Sequence, residues 1–321
     1  MPNTPGAISA IITTYNYARF VGPAIDSVLA QSTAPAEIVV VDDGSTDETA
    51  AVVERYLERG VRYVKQQRAG AGAARNRGLA ETGGELVAFL DADDRWLPDK
   101  LARQLEHLRR YPQVGLVTGG EWHVFESGAP PRLVARRPAG AIEAFPRVLL
   151  ENFIGNPSVV LARRECFRAA GDFDETLRLG QDWDMWIRIA RHFPVGVVDG
   201  PLILFTKHDD SLTSGQTKER YESNKLIERR YIDSVQPRLR RSLIARGAHS
   251  MNDFYAGAAI VTQPGRRKQA FRLALRSLWL DPFYMFDLKA PLLLHAMTGP
   301  AAFANMSRWL HKLVPRDSPA E

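Results

Sequence analysis

Three carboxylates follow an apolar segment at a spacing typical of a cation-binding site. Asp91, Asp93 and Asp94 come directly after residues 86–90. Because like charges this close repel one another and raise each other's pKa, the cluster is unfavourable unless a cation neutralises it. Oxygen ligands without an adjacent histidine or cysteine suit Mg²⁺ or Mn²⁺, which also bind the phosphate oxygens of a substrate. The segment therefore predicts a divalent metal site. The alternative is a solvated turn in which Asp94 caps the following helix.

An acidic pair ends a second apolar segment. Asp42 and Asp43 follow residues 37–41, and Ser45 or Thr46 can cap the helix expected next. Acidic residues at strand ends bind ribose hydroxyls in nucleotide folds, and a carboxylate there can also accept an N–H from a base. The pair therefore indicates nucleotide binding, although helix capping explains most of the residues after it.

A glycine-rich stretch at residues 70–76 suggests a dinucleotide fingerprint, which we reject. Residues 65–69 separate it from the preceding apolar segment, so the tight strand-to-helix turn is missing. Arg75 replaces the third glycine, and its bulk is expected to prevent close packing of the helix on the strand. A helix N-terminus with Arg75 nearby still suits a phosphate or a base.

A carboxylate also lies at the start of an amphipathic helix predicted over residues 180–190. One face of this helix carries the apolar residues Trp183, Trp186, Ile187 and Ala190. Asp184 and Arg188 are spaced to pair along the helix. Asp182 can then act either as the N-cap or as a general base with aromatic support. Farther on, the lone His208 follows a predicted strand, and both a surface position and a ligand role stay open.

These residues need a scaffold, which the apolar pattern supplies. Short apolar strands alternating with helices are predicted over residues 7–14, 37–41, 61–64 and 86–90. This alternation predicts an α/β fold with a parallel sheet covered on both faces. Ligands bind beyond the carboxyl ends of the strands in such sheets, so the polar clusters are expected to face one crevice. The Pro/Arg/Gly-rich residues 127–141 are expected to form a mobile loop.

Taken together, five motifs resemble those of family 2 glycosyltransferases. In chain order they are residues 11–16, 41–47, 70–76, 89–94 and 181–184, and the resemblance covers roughly residues 7–212. It implies the GT-A fold, a mostly parallel central sheet flanked by helices, followed here by a C-terminal helical region. It also implies an inverting transfer of a sugar from a nucleoside-diphosphate sugar, expected to be a UDP-sugar, to an acceptor hydroxyl in cell-surface polysaccharide or glycan synthesis.

The resemblance implies roles by position. The positions matched to donor binding are Thr13, Tyr15, Asn16, Asp43, Gly70, Arg75 and Asp91. A Mn²⁺ or Mg²⁺ ion is expected on Asp93, with Asp91 and, by a looser match, His208. Asp182 matches the catalytic base, and Gln181 stands where family members often have a glutamate. The expected partners are the nucleotide-sugar donor and a glycan or lipid-linked acceptor, without nucleic acid.

Two other functions stay open on the sequence. One is a sugar-nucleotide or polysaccharide binding protein that has kept the fold without catalysis. The presence of Asp91, Asp93 and Asp182 argues against this function. The other is an aspartyl-nucleophile phosphatase, which also has Asp-x-Asp after an apolar strand. Arg95 and Trp96 stand where that class would have a threonine or valine.

The amino-acid composition excludes several structural classes of protein. The 321 residues include a single cysteine, Cys166, which excludes an internal disulfide and a zinc cluster. No apolar run approaches the roughly 18 to 20 residues needed to cross a bilayer, and the first residues do not resemble a signal peptide. A cytoplasmic protein is therefore expected.

Charge is divided unevenly along the chain, which suggests two domains. Residues 218–321 carry 18 basic and 9 acidic residues, although the whole chain has a net charge of +5. The predicted domains are residues 1–215 and 216–321, with helices in the second over 218–251 and 266–280. This tail carries aromatic residues such as Trp279 close to Arg276. It is predicted either to contact the inner face of the cell membrane peripherally or to pack as a helical cap on the first domain or on a second subunit of a homo-oligomer.

Overall fold

The computed structural model describes residues 6–134, 139–149, 152–210, 217–232, 235, 265 and 267–280. The chain divides into two compact units, Met1–Ser214 and Gly215–Glu321. The first unit contains the sheet and every candidate donor-binding, metal-binding and catalytic residue.

A ten-stranded sheet runs through the first unit. Its strands are β1 (Ile8–Thr14), β2 (Glu37–Asp42), β3 (Val61–Lys65), β4 (Leu86–Asp91), β5 (Arg95–Trp96), β6 (Leu116–Phe125), β7 (Arg132–Val134), β8 (Gly140–Ile142), β9 (Leu161–Arg163) and β10 (Val195–Lys207). Along the sheet the order is β3-β2-β1-β4-β9-β6-β10-β5, with β7 beside β6 and β8 beside β10. The first four strands pair in parallel, whereas β9 runs antiparallel to both β4 and β6. The sheet is therefore parallel in its N-terminal half and mixed beyond it.

Helices cover both faces of the parallel half. The α-helices of the described residues are α1 (Ala18–Leu29), α2 (Thr49–Glu54), α3 (Ala71–Glu81), α4 (Lys100–Arg110), α5 (Arg164–Ala170), α6 (Gln181–Ala190), α7 (Thr217–Ile232) and α8 (Arg267–Leu280). Right-handed crossovers put α1 and α2 on one face of the sheet and α3 on the other. Accordingly, α1 packs on α2, and α3 packs on β1 and β2. Every residue of β1 is buried as a result, and the predicted α/β fold class is confirmed.

Helix α3 lies unusually close to strand β1. A Cβ atom built on Gly78 would overlap Cγ2 of Ile11, so any larger residue at this position would force the Ile11 side chain to shift. The expectation that Arg75 prevents close packing of this helix is wrong. Arg75 is itself buried, and the close approach takes place one turn later, at Gly78.

The prediction of a mobile loop over residues 127–141 is wrong in part. Strand β7 pairs with β6, and strand β8 pairs with β10, so two segments of this stretch extend the sheet. The Pro/Arg/Gly-rich composition indicates local flexibility but carries no information on the partners that neighbouring strands provide.

The second unit is described mainly through α7 and α8. On α8 the side chains of Ala270, Ala274 and Ser277 are buried, whereas Leu275 is 50% exposed and Trp279 is 75% exposed. The part of the predicted helix 218–251 beyond residue 232 lies outside the described residues, apart from residue 235. Within the described ranges, no helix combines the length and the apolar character that crossing a bilayer requires.

Candidate active site

Strand register brings the polar strand ends to one edge of the sheet. Thr13 of β1 lies opposite Asp91 of β4, and Thr14 lies opposite Asp42 of β2. Asp42 in turn lies opposite Lys65 of β3. The polar clusters that were predicted to face one crevice therefore begin at paired positions on neighbouring strands.

The two carboxylates at the end of β2 have different surroundings. Asp42 is fully buried and accepts hydrogen bonds from the Ser45 amide at 2.7 Å and from the Tyr63 hydroxyl. Asp43 accepts hydrogen bonds from the Gln66 side chain and from the amides of residues 69 and 70, each at 2.8 Å. A carboxylate can accept about four hydrogen bonds. Asp43 accepts three from this loop, which leaves one acceptor position unused. Asp42 shapes the turn instead.

Asn16 joins the loops that follow β1 and β2. Its amide donates to Oγ of Ser45 at 2.8 Å, and its Oδ1 accepts from the Thr46 amide at 2.8 Å. Its backbone adopts the left-handed conformation, with φ at 53°. The neighbouring Tyr15 ring lies 4.1 Å from the guanidinium carbon of Arg68. The polar residues after β1 thus hold the neighbouring loops in place at the carboxyl ends of the strands.

Arg75 fixes the carboxylate at the end of β4. Gly70, in the left-handed region with φ at 98°, precedes α3, which carries Arg75 into the protein. The Arg75 side chain is 5% exposed, and its Nη2 lies 2.7 Å from Oδ1 of Asp91. The hydroxyl of Thr13 donates to the same oxygen at 3.1 Å. Arg75 Nε and Nη1 are buried and have no hydrogen-bond partner among the described residues.

Asp93 pairs with His208 rather than with a second carboxylate. The imidazole Nε2 lies 3.1 Å from Oδ2 of Asp93, and the His208 side chain is fully buried. Its ring packs against Tyr17 and Phe20, with ring centroids at 5.6 and 4.6 Å. Burial and the nearby carboxylates of Asp93 and Asp91 raise the pKa of Tyr17 above its usual value. A surface position for His208 is therefore wrong.

Asp94 is a structural carboxyl group. It is 1% exposed, accepts the Ser158 hydroxyl at 2.6 Å, and accepts the Thr206 amide at 3.1 Å. Burial, together with the charges of Asp93 and Asp91, raises the pKa of Asp94 well above its usual value. The alternative that Asp94 caps the next helix is wrong, because α4 begins only at residue 100.

The donor set fits a divalent cation only with help from a substrate. In the part of the chain that is described, no three His, Cys, Asp or Glu side chains are grouped as metal ligands. Asp93 and His208 are close together, whereas one oxygen of Asp91 is taken by Arg75. A cation here would complete its coordination with substrate oxygens and water, as Mg²⁺ commonly does. On this chemistry the residues fit a nucleotide-bound Mg²⁺ or Mn²⁺.

Asp182 lies in the first turn of α6. Gly180, with φ at 78°, is the N-cap, so the alternative that Asp182 caps the helix is wrong. Trp183 and Trp186 anchor the helix, because their indole N–H groups donate to the carbonyls of Val148 and Gly155 at 2.7 and 3.0 Å. The predicted pair within the helix, between residues 184 and 188, is present at 2.8 Å.

Residues 152–158 connect Asp182 with the end of β4. The Asn152 side chain donates to Oδ2 of Asp182 at 3.5 Å. At the other end, the Ser158 hydroxyl accepts the amide of Asp91 at 3.0 Å while it donates to Asp94. One short segment thus contacts both the general base candidate and the strand end that carries Asp91.

Sequence reasoning missed three residues of this site: Asn152, Ser158 and Tyr17. Asn152 and Ser158 belong to a stretch without a recognisable motif, and their contacts come from residues 30 to 67 positions away. Tyr17 directly follows the matched motif that ends at Asn16, so extending that motif by one residue was the available signal.

Comparison with known proteins identifies a matching family. The family model described as Glycosyl transferase family 2 matches residues 9–166. An uncharacterized glycosyltransferase of Nostoc sp. is 48% identical over 113 residues, which is 34% of this chain and 35% of the relative. The succinoglycan biosynthesis protein ExoO of Rhizobium meliloti is 31% identical over 185 residues, which is 55% of this chain and 53% of the relative. The chain thus spans about a third to a half of the length of these curated relatives.

Solved structures share the fold. The 1–349 fragment of S. aureus TarS, in complex with UDP-GlcNAc, matches with a TM-score of 0.66 at 20% identity, over 91% of this chain and 87% of that one. The mannosyltransferase PcManGT of Pyrobaculum calidifontis, in complex with GDP-Man and Mn²⁺, matches with a TM-score of 0.56 at 21% identity, over 90% and 85%. The expected GT-A fold class is confirmed by these likenesses. The matched family model, together with an uncharacterized glycosyltransferase of Rickettsia felis that is 31% identical over 68% of this chain and 37% of the relative, shows that the chain belongs to glycosyltransferase family 2.

Proposed function

We propose that this chain is an inverting glycosyltransferase that moves a sugar from a nucleoside-diphosphate sugar to an acceptor hydroxyl in polysaccharide synthesis. One observation carries the proposal. Residues 152–158 link Asp182, in the first turn of α6, to the carboxyl end of β4: Asn152 donates to Asp182, and Ser158 accepts the backbone amide of Asp91 and donates to Asp94. Family membership and the similarity to ExoO, a succinoglycan biosynthesis protein, support it.

The donor would bind across the ends of β1, β2 and β4. Asp43 has one acceptor position left for an N–H of the base, and Nε and Nη1 of Arg75, which have no partner in the described part of the chain, would donate to oxygens of the sugar nucleotide. We favour a UDP-sugar, since TarS, which shares the fold, is solved with UDP-GlcNAc. Thr13, Tyr15 and Asn16 would shape the nucleoside side of the site.

Inversion requires a base on the acceptor side. In the proposed step, Asp182 takes the proton of the acceptor hydroxyl while that oxygen bonds to the anomeric carbon. The bond from this carbon to the diphosphate oxygen breaks on the opposite face, and the electron pair leaves with the diphosphate. Asp93 and His208 would hold Mn²⁺ or Mg²⁺, which supplies positive charge for the leaving diphosphate. Asn152 orients Asp182 through its side-chain amide.

Release of nucleoside diphosphate tests the proposal. A panel of nucleotide sugars would be incubated with the protein and either Mn²⁺ or Mg²⁺, with EDTA as the matched control. We expect diphosphate release from one donor class, faster with a carbohydrate acceptor and abolished by EDTA. Saturable donor binding without release under any condition would contradict catalysis and favour a silent sugar-nucleotide binding protein.

A lipid-linked acceptor would bring the protein to a membrane, and α8 offers a surface for that contact. Leu275 and Trp279 are exposed one turn apart, with Arg272 and Arg276 exposed beside them. Apolar and basic residues on one helix face suit an anionic bilayer surface. Flotation with anionic vesicles should recover the full-length protein, and the double variant Leu275→Ala/Trp279→Ala should lose this binding. Equal flotation of both proteins would contradict a membrane contact through this face of α8, and flotation of neither would favour the alternative of a helical cap or a homo-oligomer contact.

A further inference from the structure

The segment that carries His208 is fastened to the start of α1 by contacts outside the predicted site. Nη2 of Arg19 lies 2.7 Å from a carboxylate oxygen of Asp210, and Nη1 lies 3.3 Å from Oε1 of Glu126. The hydroxyl of Tyr17 donates to the backbone carbonyl of Asp210 at 3.3 Å. We call Arg19, Glu126 and Asp210 the clasp. It joins the residues after β1, the end of β6 and the residues after β10.

The clasp is linked to the imidazole that faces Asp93 through Phe20 and through the backbone of β10. The Arg19 guanidinium carbon lies 4.4 Å from the centroid of the Phe20 ring, and the Phe20 and His208 ring centroids are 4.6 Å apart. The amide of Glu126 also donates to the carbonyl of the residue before His208, at 3.0 Å. A displacement of Arg19 would therefore reach His208 both through Phe20 and through the backbone of β10.

The clasp is too exposed to matter much for global stability. The side chains of Arg19 and Asp210 are 53% and 70% exposed, and exposed ion pairs contribute little to the free energy of unfolding. Such contacts can still control a local equilibrium, because segment ends open at a much lower free energy than the whole fold. If only the closed arrangement binds donor, the apparent dissociation constant rises in proportion to the open fraction.

We infer that Arg19 is a positioning residue: by pairing with both Asp210 and Glu126, it holds His208 against Asp93 in the arrangement that binds the donor diphosphate. This inference rests on the proposed function, since it needs a donor at Asp93 and His208. Arg19 touches neither the donor nor the acceptor in this account. It acts through Phe20 and the chain segment around residues 207–210.

The chain offers a matched control for testing Arg19. Arg59 is also 53% exposed, pairs with Asp26 at 3.1 Å, and lies over an aromatic ring, that of Tyr56 at 5.4 Å. Its contacts are with α1 and Tyr56, away from His208. Both Arg19→Ala and Arg59→Ala remove an exposed ion pair, but only Arg19 is linked to His208. A difference between the two variants therefore reports the effect of that link.

Two measurements on the full-length protein test the inference. Hydrogen exchange of peptides covering residues 203–210, in the absence of nucleotide, should be faster in Arg19→Ala than in the wild type and unchanged in Arg59→Ala. Calorimetric titration with UDP in the presence of Mn²⁺ should show about fivefold to tenfold weaker binding for Arg19→Ala. Arg19→Lys keeps the charge and should recover part of that affinity, and turnover at saturating donor should change less than twofold.

The possible failures are distinguishable. If hydrogen exchange of residues 203–210 were unchanged in Arg19→Ala, the claim that the clasp holds this segment would be overturned, whatever the result of the UDP titration. Faster exchange with an unchanged UDP dissociation constant would overturn the role in donor binding. If the wild type bound no nucleoside diphosphate with any divalent ion, the proposed function would fail, and the donor-binding part of the inference would fail with it.

Discussion

Replacing Arg75 with methionine tests whether the guanidinium on α3 organises the strand-tip carboxylates. Methionine keeps an unbranched apolar stem and removes the charge, so the packing of α3 on β1 is largely retained. The substitution breaks the 2.7 Å contact with Asp91 and removes the two N–H groups that have no partner among the described residues.

The expected loss of stability follows from how buried each partner is. Removing one member of a fully buried ion pair costs about 3–5 kcal/mol. Asp91 keeps 28% side-chain exposure, so water can solvate its charge, and we reduce the loss to about 2–3 kcal/mol. Methionine also removes two buried unsatisfied donors, which returns about 1 kcal/mol. The free energy of unfolding should fall by about 1–2 kcal/mol.

Donor affinity should fall further than stability. If donor oxygens take up the two available N–H groups of Arg75, their loss weakens UDP binding by about 10- to 100-fold, which is the strength of a hydrogen bond to a charged group. Urea unfolding gives the stability change, and calorimetric titration with UDP and Mn²⁺ gives the affinity.

Arg77→Met is the matched control for this substitution. Arg77 lies on the same helix, and its ion pair with Glu81 at 2.8 Å is half exposed, so its loss should cost less than about 0.5 kcal/mol. UDP affinity should not change. If Arg75→Met proved as stable as Arg77→Met and bound UDP equally well, the assignment of Arg75 to the site would be refuted.

Three further predictions concern the scaffold. Gly78→Ala should lower the free energy of unfolding by about 1–2 kcal/mol, because overpacking against Ile11 outweighs the gain in helix propensity, and urea unfolding measures it. Burial would raise the pKa of Glu37, but hydrogen bonds from the Ser9 hydroxyl and two backbone amides outweigh it and lower that pKa. Unfolding at a series of pH values should therefore show that Glu37→Gln is destabilised above about pH 5 and approaches the wild type as pH falls through the depressed pKa. Burial raises the pKa of Cys166 to about 12, so iodoacetamide at pH 8 should label it only after unfolding, as mass spectrometry would show.

The parts of the site that sequence predicted well are local. The carboxylates at the ends of β2 and β4 could be placed because apolar runs end directly before them, and parallel strands bring their carboxyl ends together. The buried face of α6 followed from helical spacing, which is a property of neighbouring residues. These predictions required no knowledge of distant contacts.

The parts that sequence could not predict depend on contacts between distant positions. Nothing in the residue spacing indicates that Ser158 bridges Asp91 and Asp94. Nor does it indicate that Asp43 accepts three hydrogen bonds from the loop at residues 66–70. The antiparallel strand β9, between β4 and β6, is three residues long and has no periodicity to detect. Its pairing is what makes the second half of the sheet mixed.

The most direct test of the account is a kinetic comparison of Asp182→Asn with Asp93→Asn. Nucleoside-diphosphate release with acceptor gives kcat, and calorimetry gives the dissociation constant of UDP with Mn²⁺. Asp199→Asn, an exposed carboxylate elsewhere on β10, is the control. We expect Asp182→Asn to lower kcat by about 10²- to 10⁴-fold with UDP affinity nearly intact, and Asp93→Asn to weaken UDP binding. An Asp182→Asn protein that kept its turnover and lost UDP affinity would contradict the separation of base and donor site.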